Sequence, residues 1–183
     1  MKIEKTLISG CYVIHAEPLE DERGWFARTF CEKELFPYTG ELKFVQINHS
    51  YNKRAGTFRG MHYQAFPFVD SKLIRCINGS AIDIIADLRA GSPTFLKYIT
   101  IEISRENRNM VFLPKGTVHG FQTLADDTEL IYHHTVSYHP ELDCGIRYND
   151  PLLDIKLPNS ISIISVKDQT YKLLDKEFKG IEL

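Results

Sequence analysis

Residues 59–76 read Arg-Gly-Met-His-Tyr-Gln-Ala-Phe-Pro-Phe-Val-Asp-Ser-Lys-Leu-Ile-Arg-Cys, with an alternating apolar run on each side of a proline turn. Alternation with a period of two is typical of β-strands. The two runs carry Arg59, His62 and Lys72, three polar residues that a purely structural pair of strands does not need. This concentration of polar side chains predicts a functional site.

The faces of these two strands decide whether the polar residues can meet. If residues 58–64 and 72–77 form neighbouring strands, alternation sends Arg59 and His62 to opposite faces unless the chain bulges at Gly60. In the alternative interpretation, both cations are solvated and His62 is a structural histidine with a satisfied hydrogen bond. The residues alone leave both interpretations open.

Length and composition set the class of protein. The 183 residues, 43% of them hydrophobic, are enough to bury one full core, and we expect a single domain over residues 1–183. A formal net charge of -2 gives no basic surface, so we expect neither a nucleic acid nor a membrane as a partner. The N-terminal residues carry charges within a short apolar stretch, and no run approaches the ~18 apolar residues of a membrane span. We therefore expect a soluble, cytoplasmic protein.

The cysteines give no sign of a metal or redox motif. Cys11, Cys31, Cys76 and Cys144 are widely separated, and no two of them form a CxxC pair. We expect four reduced thiols.

Short strands recur along most of the chain, about every 8 to 12 residues, with turn residues between them, a pattern typical of an antiparallel sandwich or barrel. Asn78-Gly79 between two alternating runs predicts a β-hairpin. Helix is expected only as a single turn over residues 32–36, ahead of Pro37, and as a surface helix over residues 168–178. The predicted strands are residues 2–8, 12–16, 25–30, 42–50, 58–64, 72–77, 81–88, 95–103, 110–113, 121–124 and 129–138.

A histidine on a central strand and a Pro-x-Gly-x-x-His turn ending at His119 resemble a cupin, an all-β jelly roll with a pocket inside the barrel. Metal-binding cupins add a second histidine two residues after the first and an acidic ligand beyond it, but Gln64 holds that position and no Glu follows before Asn78. A first-row metal takes at least three protein ligands, and His62 and His119 supply two. We therefore expect no metal and no cofactor; an unligated histidine can act as an acid or base near neutral pH.

Nine short motifs extend the resemblance from the fold class to one family. In their order and together they resemble the dTDP-4-dehydrorhamnose 3,5-epimerase family, and they cover residues 20–170. The motifs are DERGWF (21–26), FVQINHS (44–50), RGMHYQ (59–64), KLIR (72–75), DLR (87–89), GSPT (91–94), PKGTVHGF (114–121), GIRYNDP (145–151) and SVKD (165–168).

The resemblance implies a substrate and a reaction. The substrate would be a nucleotide-activated 4-keto-6-deoxyhexose, with dTDP-4-dehydro-6-deoxy-D-glucose converted to dTDP-4-dehydro-L-rhamnose through enolates at carbons 3 and 5. By similarity His62 would be the base, and Asp168 would orient its ring. Lys72 would face the oxyanion, and Tyr132 would return the proton on the opposite face.

The resemblance also implies a set of substrate-binding residues. Their Arg and Lys members suit a pyrophosphate, and Tyr138 would stack on the nucleotide base. Arg28 occupies a position where the family usually has Glu. This change inverts the charge near the predicted base pocket and argues against thymidine as the nucleoside. The implied binding residues are Arg23, Phe26, Arg28, Gln46, Asn48, Arg59, His119, Tyr138, Asp143 and Lys167.

The remaining histidines fall outside the positions that the resemblance marks. We interpret them as solvated residues, with His133, His134 and His139 at a strand edge and the same reading for His15 and His49.

Three further interpretations stay open at this point. The enzyme could be a monofunctional 3- or 5-epimerase or a 3,4-ketoisomerase, and the sugar could be linked to dTDP, GDP, CDP or UDP. A sugar-binding cupin, without catalysis or with a metal, is the alternative from another class. The resemblance further implies a homodimer that exchanges N-terminal strands, with Arg23 reaching the pocket of the neighbouring subunit.

Overall fold

Two antiparallel β-sheets packed face to face make up most of the computed structural model, which describes residues 1–183. The first sheet contains, in spatial order, β1 (Lys2–Lys5), β2 (Tyr12–His15), β10 (Asn109–Leu113), β7 (Lys72–Asn78), β12 (Thr128–His134) and β5 (Gln46–Asn52). The second contains β13 (Asp143–Gly145), β6 (Thr57–Gln64), β11 (Thr117–Thr123), β8 (Ser80–Asp87) and β9 (Tyr98–Ser104).

Smaller elements complete the fold. A separate hairpin is formed by β3 (Leu19–Asp21) and β4 (Gly24–Phe26), and β14 (Ile163–Ile164) adds to β6 in parallel. The helices are α1 (Glu32–Thr39) and α2 (Val166–Thr170), with one 3₁₀ turn at Pro140–Leu142. No helix is long and apolar enough to cross a membrane. The all-β, cupin-type jelly-roll class predicted from the sequence is confirmed.

Strand alternation decides which side chains fill the core between the sheets. Ile74 and Val111 of the first sheet meet Ile85 and Phe121 of the second in one buried cluster. Their sequence neighbours point the other way, and Leu73 packs instead in a separate cluster with α1. The first sheet is therefore apolar on both faces: one face packs on the second sheet, and the other packs on α1.

The chain bulges at Gly60. A bulge at this residue is the condition under which Arg59 and His62 can lie on the same face of the strand. On β11 the step from His119 to Phe121 spans two residues, whereas their partners on β6, His62 and Arg59, are three residues apart. Gly60 has φ +140, a conformation open to glycine. The extra residue places Arg59 and His62 on the same side of β6, because it resets the alternation.

The strands that carry these residues are not neighbours. β6 lies in the second sheet, with β13 and β11 beside it, whereas β7 lies in the first sheet between β10 and β12. The proline turn therefore carries the chain from one sheet to the other, so that the polar residues face each other across the sandwich.

The hairpin predicted at Asn78-Gly79 was wrong. Gly79 has φ +69, as a tight turn of this type requires, but β7 ends in the first sheet and β8 begins in the second. A strand has two edges, and both edges of β7 and both of β8 are occupied by other strands. The turn residues determine where the chain changes direction. Which strands then pair depends on which strand edges are still free to form hydrogen bonds.

Both predicted helices had wrong limits. α1 continues past Pro37 and ends at Thr39, with Gly40 as its C-cap. Because Pro37 lies in the last turn, its missing N–H removes a single helical hydrogen bond. The helix predicted over residues 168–178 is α2, which is five residues long and ends at Thr170. Beyond it the chain lies against the second sheet, where Leu174 and Phe178 pack on the cluster of Phe58 and its neighbours. The four cysteines are free thiols, as predicted.

Candidate active site

Two cavities of about 320 and about 300 Å³ adjoin at β6, the first against β14 and α2 and the second between the two sheets. Arg59 and His62 belong to the walls of both cavities, and the two cavities are together called the cleft. Lys167 and Asp168 line the first cavity with β14 and the start of β6. The second is lined by Asn48, His49, Ser50, Lys72, His119, Phe121, Tyr132 and His134.

His62 and Asp168 form a close pair in this cleft. Nε2 of His62 lies 2.7 Å from Oδ1 of Asp168, and the other carboxylate oxygen accepts the backbone N–H of Gly60 at 3.2 Å. Asp168 is buried, which favours its neutral form, but hydrogen bonds from His62 and Gly60 hold the pKa of its carboxyl below the ordinary value. An ionised carboxylate fixes the imidazole ring and favours its protonated state after a proton has been taken up.

The local sequence places Asp168 where it can make this contact. Ser165 caps α2, and its Oγ accepts the backbone N–H of Asp168 at 3.0 Å. The same short helix brings Lys167 to the mouth of the cleft. On the other side of the His62 ring, Tyr171 makes an edge-on contact with 5.8 Å between ring centroids. The imidazole is therefore held by a carboxylate and by an aromatic ring.

Lys72 and Tyr132 approach the cleft from the opposite sheet. Burial lowers the pKa of the Lys72 ammonium, an effect that the nearby carboxylates of Asp70, Asp143 and Asp83 oppose. The Tyr132 hydroxyl shares a hydrogen bond of 3.0 Å with Oγ of Ser50, and burial raises its pKa. Since His62 lies on the second sheet and these two residues on the first, a molecule in the cleft would have them on opposite sides.

A second histidine–carboxylate pair lies deeper in the cleft. His119 Nε2 donates to Oδ1 of Asp83, and both side chains are buried. Burial lowers the pKa of His119, although Asp83 opposes the change. Asp83 was not predicted as a site residue. Its position inside the apolar run 81–86 could have indicated one, because a buried carboxylate needs a hydrogen-bond or charge partner. The other oxygen of Asp83 has no hydrogen-bond partner.

Three of the predicted nucleotide-binding residues, Tyr138, Asp143 and Lys167, contact one another beside the cleft, and of these Lys167 lines the first cavity. Tyr138 donates its hydroxyl to Oδ2 of Asp143 at 3.0 Å, and Lys167 donates to the same oxygen. The bond to Asp143 raises the pKa of Lys167 above the usual lysine value. Gln46 accepts the backbone N–H of Tyr138 at 2.9 Å, and Arg59 donates to Asn52 at 2.7 Å.

The other predicted binding residues, Arg23, Phe26 and Arg28, lie outside this cleft. Arg23 and Phe26 belong to the exposed β3–β4 hairpin, where Arg23 pairs with Asp21 two residues away. Arg28 donates to Oε1 of Glu34 on α1 at 2.5 Å. Within one chain, none of the three lines the cavities that hold His62.

The reading of the remaining histidines as solvated strand-edge residues was wrong for two of them. β12, which carries His133 and His134, lies between β7 and β5 and is not an edge strand. His133 packs on Phe44, and His134 lines the cleft with a side chain only 14% exposed. No local pattern in the sequence indicates this, because the pairing of β12 depends on distant strands.

The last three histidines lie nearer the surface. His15 hydrogen-bonds Asn109 and Glu4, and His139 stacks on Phe68. His49 is half-exposed and pairs with Glu129, although it also contributes to the rim of the cleft.

Polar and apolar residues alternate along the first part of β5. Asn48 and Ser50 line the cleft, Gln46 hydrogen-bonds to Asn48 on the same side of the strand, and Ile47 is 63% exposed. The apolar face of this strand therefore lies open at the edge of the first sheet.

Comparison with known proteins places the whole chain in one group. Residues 5–176 match the family described as dTDP-4-dehydrorhamnose 3,5-epimerase. The enzyme of that name from Methanothermobacter thermautotrophicus is 40% identical over 174 residues, which cover 93% of this chain and 92% of the relative. A dTDP-4-dehydrorhamnose 3-epimerase from Streptomyces niveus is 31% identical, over 95% of this chain and 84% of the relative.

The same similarity holds in three dimensions. The crystal structure of dTDP-6-deoxy-D-glucose-3,5-epimerase from Legionella pneumophila, in complex with dTDP-4-keto-L-rhamnose, superposes with a TM-score of 0.90 at 34% identity. The match covers 98% of this chain and 97% of that one.

Proposed function

This chain belongs to the dTDP-4-dehydrorhamnose 3,5-epimerase family, and we propose that it inverts carbons 3 and 5 of dTDP-4-dehydro-6-deoxy-D-glucose to give dTDP-4-dehydro-L-rhamnose. The enzyme is an isomerase of the epimerase class. The observation that carries the proposal is a histidine–carboxylate pair on one sheet that faces a lysine and a tyrosine on the other, across one cleft.

His62 is the base in this proposal. The protons on carbons 3 and 5 are acidic because the carbanion left behind is delocalised onto the keto oxygen at carbon 4 as an enolate. His62 removes each proton, and Asp168 stabilises the imidazolium that forms. The depressed pKa of Asp168 supports this role, because the carboxylate stays ionised while the histidine changes its charge.

Lys72 stabilises the enolate oxygen. An ammonium in a partly buried wall acts on a developing charge more strongly than it would in water. One such donor is commonly worth about 10²–10³ in rate. The carboxylates around Lys72 counteract burial and favour its charged form.

Tyr132 returns the proton on the opposite face of the sugar. Inversion requires that the proton leave from one side and arrive from the other, and Tyr132 lies on the sheet opposite His62. The raised pKa of its hydroxyl means that a proton is available for donation throughout the neutral range.

The mouth of the cleft binds the nucleotide diphosphate. Arg59 and Lys167 are the cations placed to meet the pyrophosphate, and Tyr138 offers an exposed ring for the base. Gln46, Asn48, His119 and Asp143 complete the set. Arg28, where the family usually has Glu, is neutralised by Glu34, which lessens the charge that it would present to thymine.

We infer a homodimer in which the β3–β4 hairpin of each subunit reaches the cleft of the other. The hairpin exposes Leu19 and Phe26, each 76%, together with Trp25 and Arg23, and the Arg108 guanidinium lies over the indole ring of Trp25. Arg23 and Phe26 would then meet the substrate of the partner. A sedimentation mass equal to one chain would exclude this arrangement.

Proton NMR of the purified protein with dTDP-4-keto-6-deoxyglucose in deuterated water tests the reaction, with the matching reductase added to trap the product. We expect deuterium at both carbons and an L-sugar after reduction. Absence of exchange with this substrate, while the GDP-, CDP- or UDP-linked sugar exchanges, would show that the nucleotide is assigned wrongly.

A 3-epimerase is the second candidate, and the 31% identity to the Streptomyces niveus enzyme favours it. A 3-epimerase and a 3,5-epimerase need the same kinds of catalytic residue. The number of carbons that are inverted depends on how the sugar is positioned between the base and the acid. The same NMR experiment separates them, since a 3-epimerase would incorporate deuterium at carbon 3 alone.

A further inference from the structure

A chain of hydrogen bonds runs along the first sheet from the backbone of Tyr138 to the carboxylate of Asp70. Tyr138 N–H lies 2.9 Å from Gln46 Oε1, and Gln46 Nε2 lies 3.1 Å from Asn48 Oδ1. Asn48 Nδ2 lies 3.3 Å from His134 Nε2, whose ring partner Nδ1 lies 2.6 Å from Asp70 Oδ2. The chain thus links the nucleotide end of the cleft to its interior.

The first link fixes the direction of all the others, because a backbone N–H can only donate. Gln46 presents its oxygen to Tyr138, so its nitrogen faces Asn48, whose oxygen must accept. The nitrogen of Asn48 then donates to Nε2 of His134, which must be unprotonated. His134 therefore carries its proton on Nδ1 and donates it to Asp70, where an acceptor-only carboxylate ends the chain.

The carboxylate of Asp70, at the end of this chain of hydrogen bonds, is held in place by several donors. Its Oδ1 accepts the backbone N–H groups of Thr135 at 2.9 Å and Val136 at 3.2 Å, and the Thr135 hydroxyl at 3.0 Å. The side chains of Asp70 and His134 are 6% and 14% exposed. Because the carboxylate is held by three donors apart from His134, it fixes the position and the tautomer of the ring.

The pair also lies beside the lysine of the cleft. His134 is directly opposite Lys72 in the pairing of β12 with β7, and both line the same cavity. Asp70 is the carboxylate that most strongly opposes the lowering of the Lys72 pKa by burial, ahead of Asp143 and Asp83. The other titratable groups that line this cavity are Arg59 and His62 on β6, His119 on β11, His49 on β5 and Tyr132 on β12.

We propose that Asp70 and His134 form a positioning pair for the reaction of this cleft. The Nδ1–H tautomer of His134 sets the amide orientations of Asn48 and Gln46, and the carboxylate of Asp70, bonded to the residue directly opposite Lys72, favours a positive charge there. As far as turnover is concerned, the inference rests on the proposed function, whereas the tautomer of His134 is a property of the folded protein alone.

The tautomer is measured without substrate, by long-range proton–nitrogen NMR of protein labelled with ¹⁵N-histidine at pH 7.5. The His134 signals are identified as those missing from His134→Gln. We expect a protonated Nδ1 and an unprotonated Nε2. A proton on Nε2, or on both nitrogens, would overturn the proposal whether or not the protein is an epimerase.

The amide-setting role is tested by comparing two substitutions of His134. His134→Gln keeps one donor and one acceptor, so we expect its KM to stay near that of the wild type. His134→Ala breaks the chain, and the loss of one hydrogen bond should raise KM by about two- to tenfold while kcat changes less. An equal rise in KM in both variants would contradict a role that depends on donor and acceptor pattern.

The charge role is tested with Asp70→Asn, which keeps the size of the side chain and the oxygen that accepts from the backbone of Thr135 and Val136, while its NH2 group faces Nδ1 of His134. We expect the alkaline limb of kcat/KM to move to lower pH, because Lys72 loses its proton more readily once the neighbouring negative charge is gone. The pH at which the limb falls is read separately from the magnitude of kcat/KM, which also decreases when the His134 tautomer changes. Asp154→Asn is the matched control, since it removes the same charge from an exposed loop carboxylate paired with Lys156.

An alkaline limb that stays in place in Asp70→Asn, or that moves equally in Asp154→Asn, would overturn the charge role. If the wild-type protein failed to turn over any keto sugar, the proposed function would fall, and the tautomer of His134 would still decide the structural part of the inference.

Discussion

Gly60 and Gly120 lie so close on adjacent strands that a Cβ atom on Gly60 would be 2.5 Å from the Cα atom of Gly120. The contact occurs at the bulge that turns Arg59 and His62 to the same side of β6. Two glycines therefore permit the backbone approach on which the arrangement of the cleft depends, and the first prediction follows from it.

Gly60→Ala should destabilise the protein and misplace His62. The substitution combines a positive φ with a backbone clash, and we expect a loss of about 2 kcal/mol or more in the free energy of unfolding. Gly91→Ala is the matched control, because Gly91 has φ +71 but nothing within 4 Å of an added Cβ. Urea denaturation of both variants measures the difference; equal losses would show that the contact with Gly120 is unimportant.

His62→Ala should abolish deuterium incorporation at both carbons. The loss of a positioned base is expected to lower kcat by about 10²–10⁴, and dTDP binding should change little because the ring lies in the interior of the cleft. NMR in deuterated water and calorimetric titration of dTDP give the two quantities. Normal turnover by this variant would show that the base is another group.

Tyr132→Phe should separate proton exchange from inversion. His62 remains in place and can still remove and return a proton on its own side, so deuterium should enter the recovered substrate. The L-sugar product should form much more slowly, since the group on the opposite sheet is gone. If exchange and inversion fall together, Tyr132 acts earlier than proton return.

Lys72→Met should lower kcat by about 10²–10³, the usual effect of one donor to a developing oxyanion. Methionine keeps most of the volume of the side chain but has no charge, and dTDP affinity should therefore stay within a few-fold. Steady-state kinetics and nucleotide titration test the two expectations. A rise in KM at constant kcat would instead assign Lys72 to ground-state binding.

Asp168→Asn should remove a contribution to stability that depends on pH. The pKa of Asp168 is lowered in the folded protein, so its carboxylate stabilises the fold fully above the unfolded pKa of about 3.9. The contribution is lost as the pH falls through the lower, folded pKa. The wild type should therefore exceed Asp168→Asn in unfolding free energy at pH 7, and the gap should narrow as the pH falls below the unfolded pKa of about 3.9. A gap that is constant with pH would mean that the carboxylate charge does not stabilise the fold.

The sequence predicted most of the residues that meet in the cleft, because the motifs carry distinctive side chains on alternating strands. His62, Lys72, Tyr132 and Asp168 are brought together from four elements, and Arg59 and His119 lie with them. It did not reveal Asp83 or the Asp70–His134 pair, since the partner of a buried charge comes from a strand or loop far away in the chain.

The sequence by itself determined the all-β class and the positions of most strands, because strand alternation is a local property; it left open whether the chain bulges at Gly60, which the structure decided. Only the tertiary structure decided which strands are neighbours. Asn78-Gly79 turns the chain but joins two sheets, and Pro37 lies inside a helix. The reason is that pairing and burial depend on which strand edges and apolar surfaces remain free once the whole chain has packed, and no local pattern records that competition.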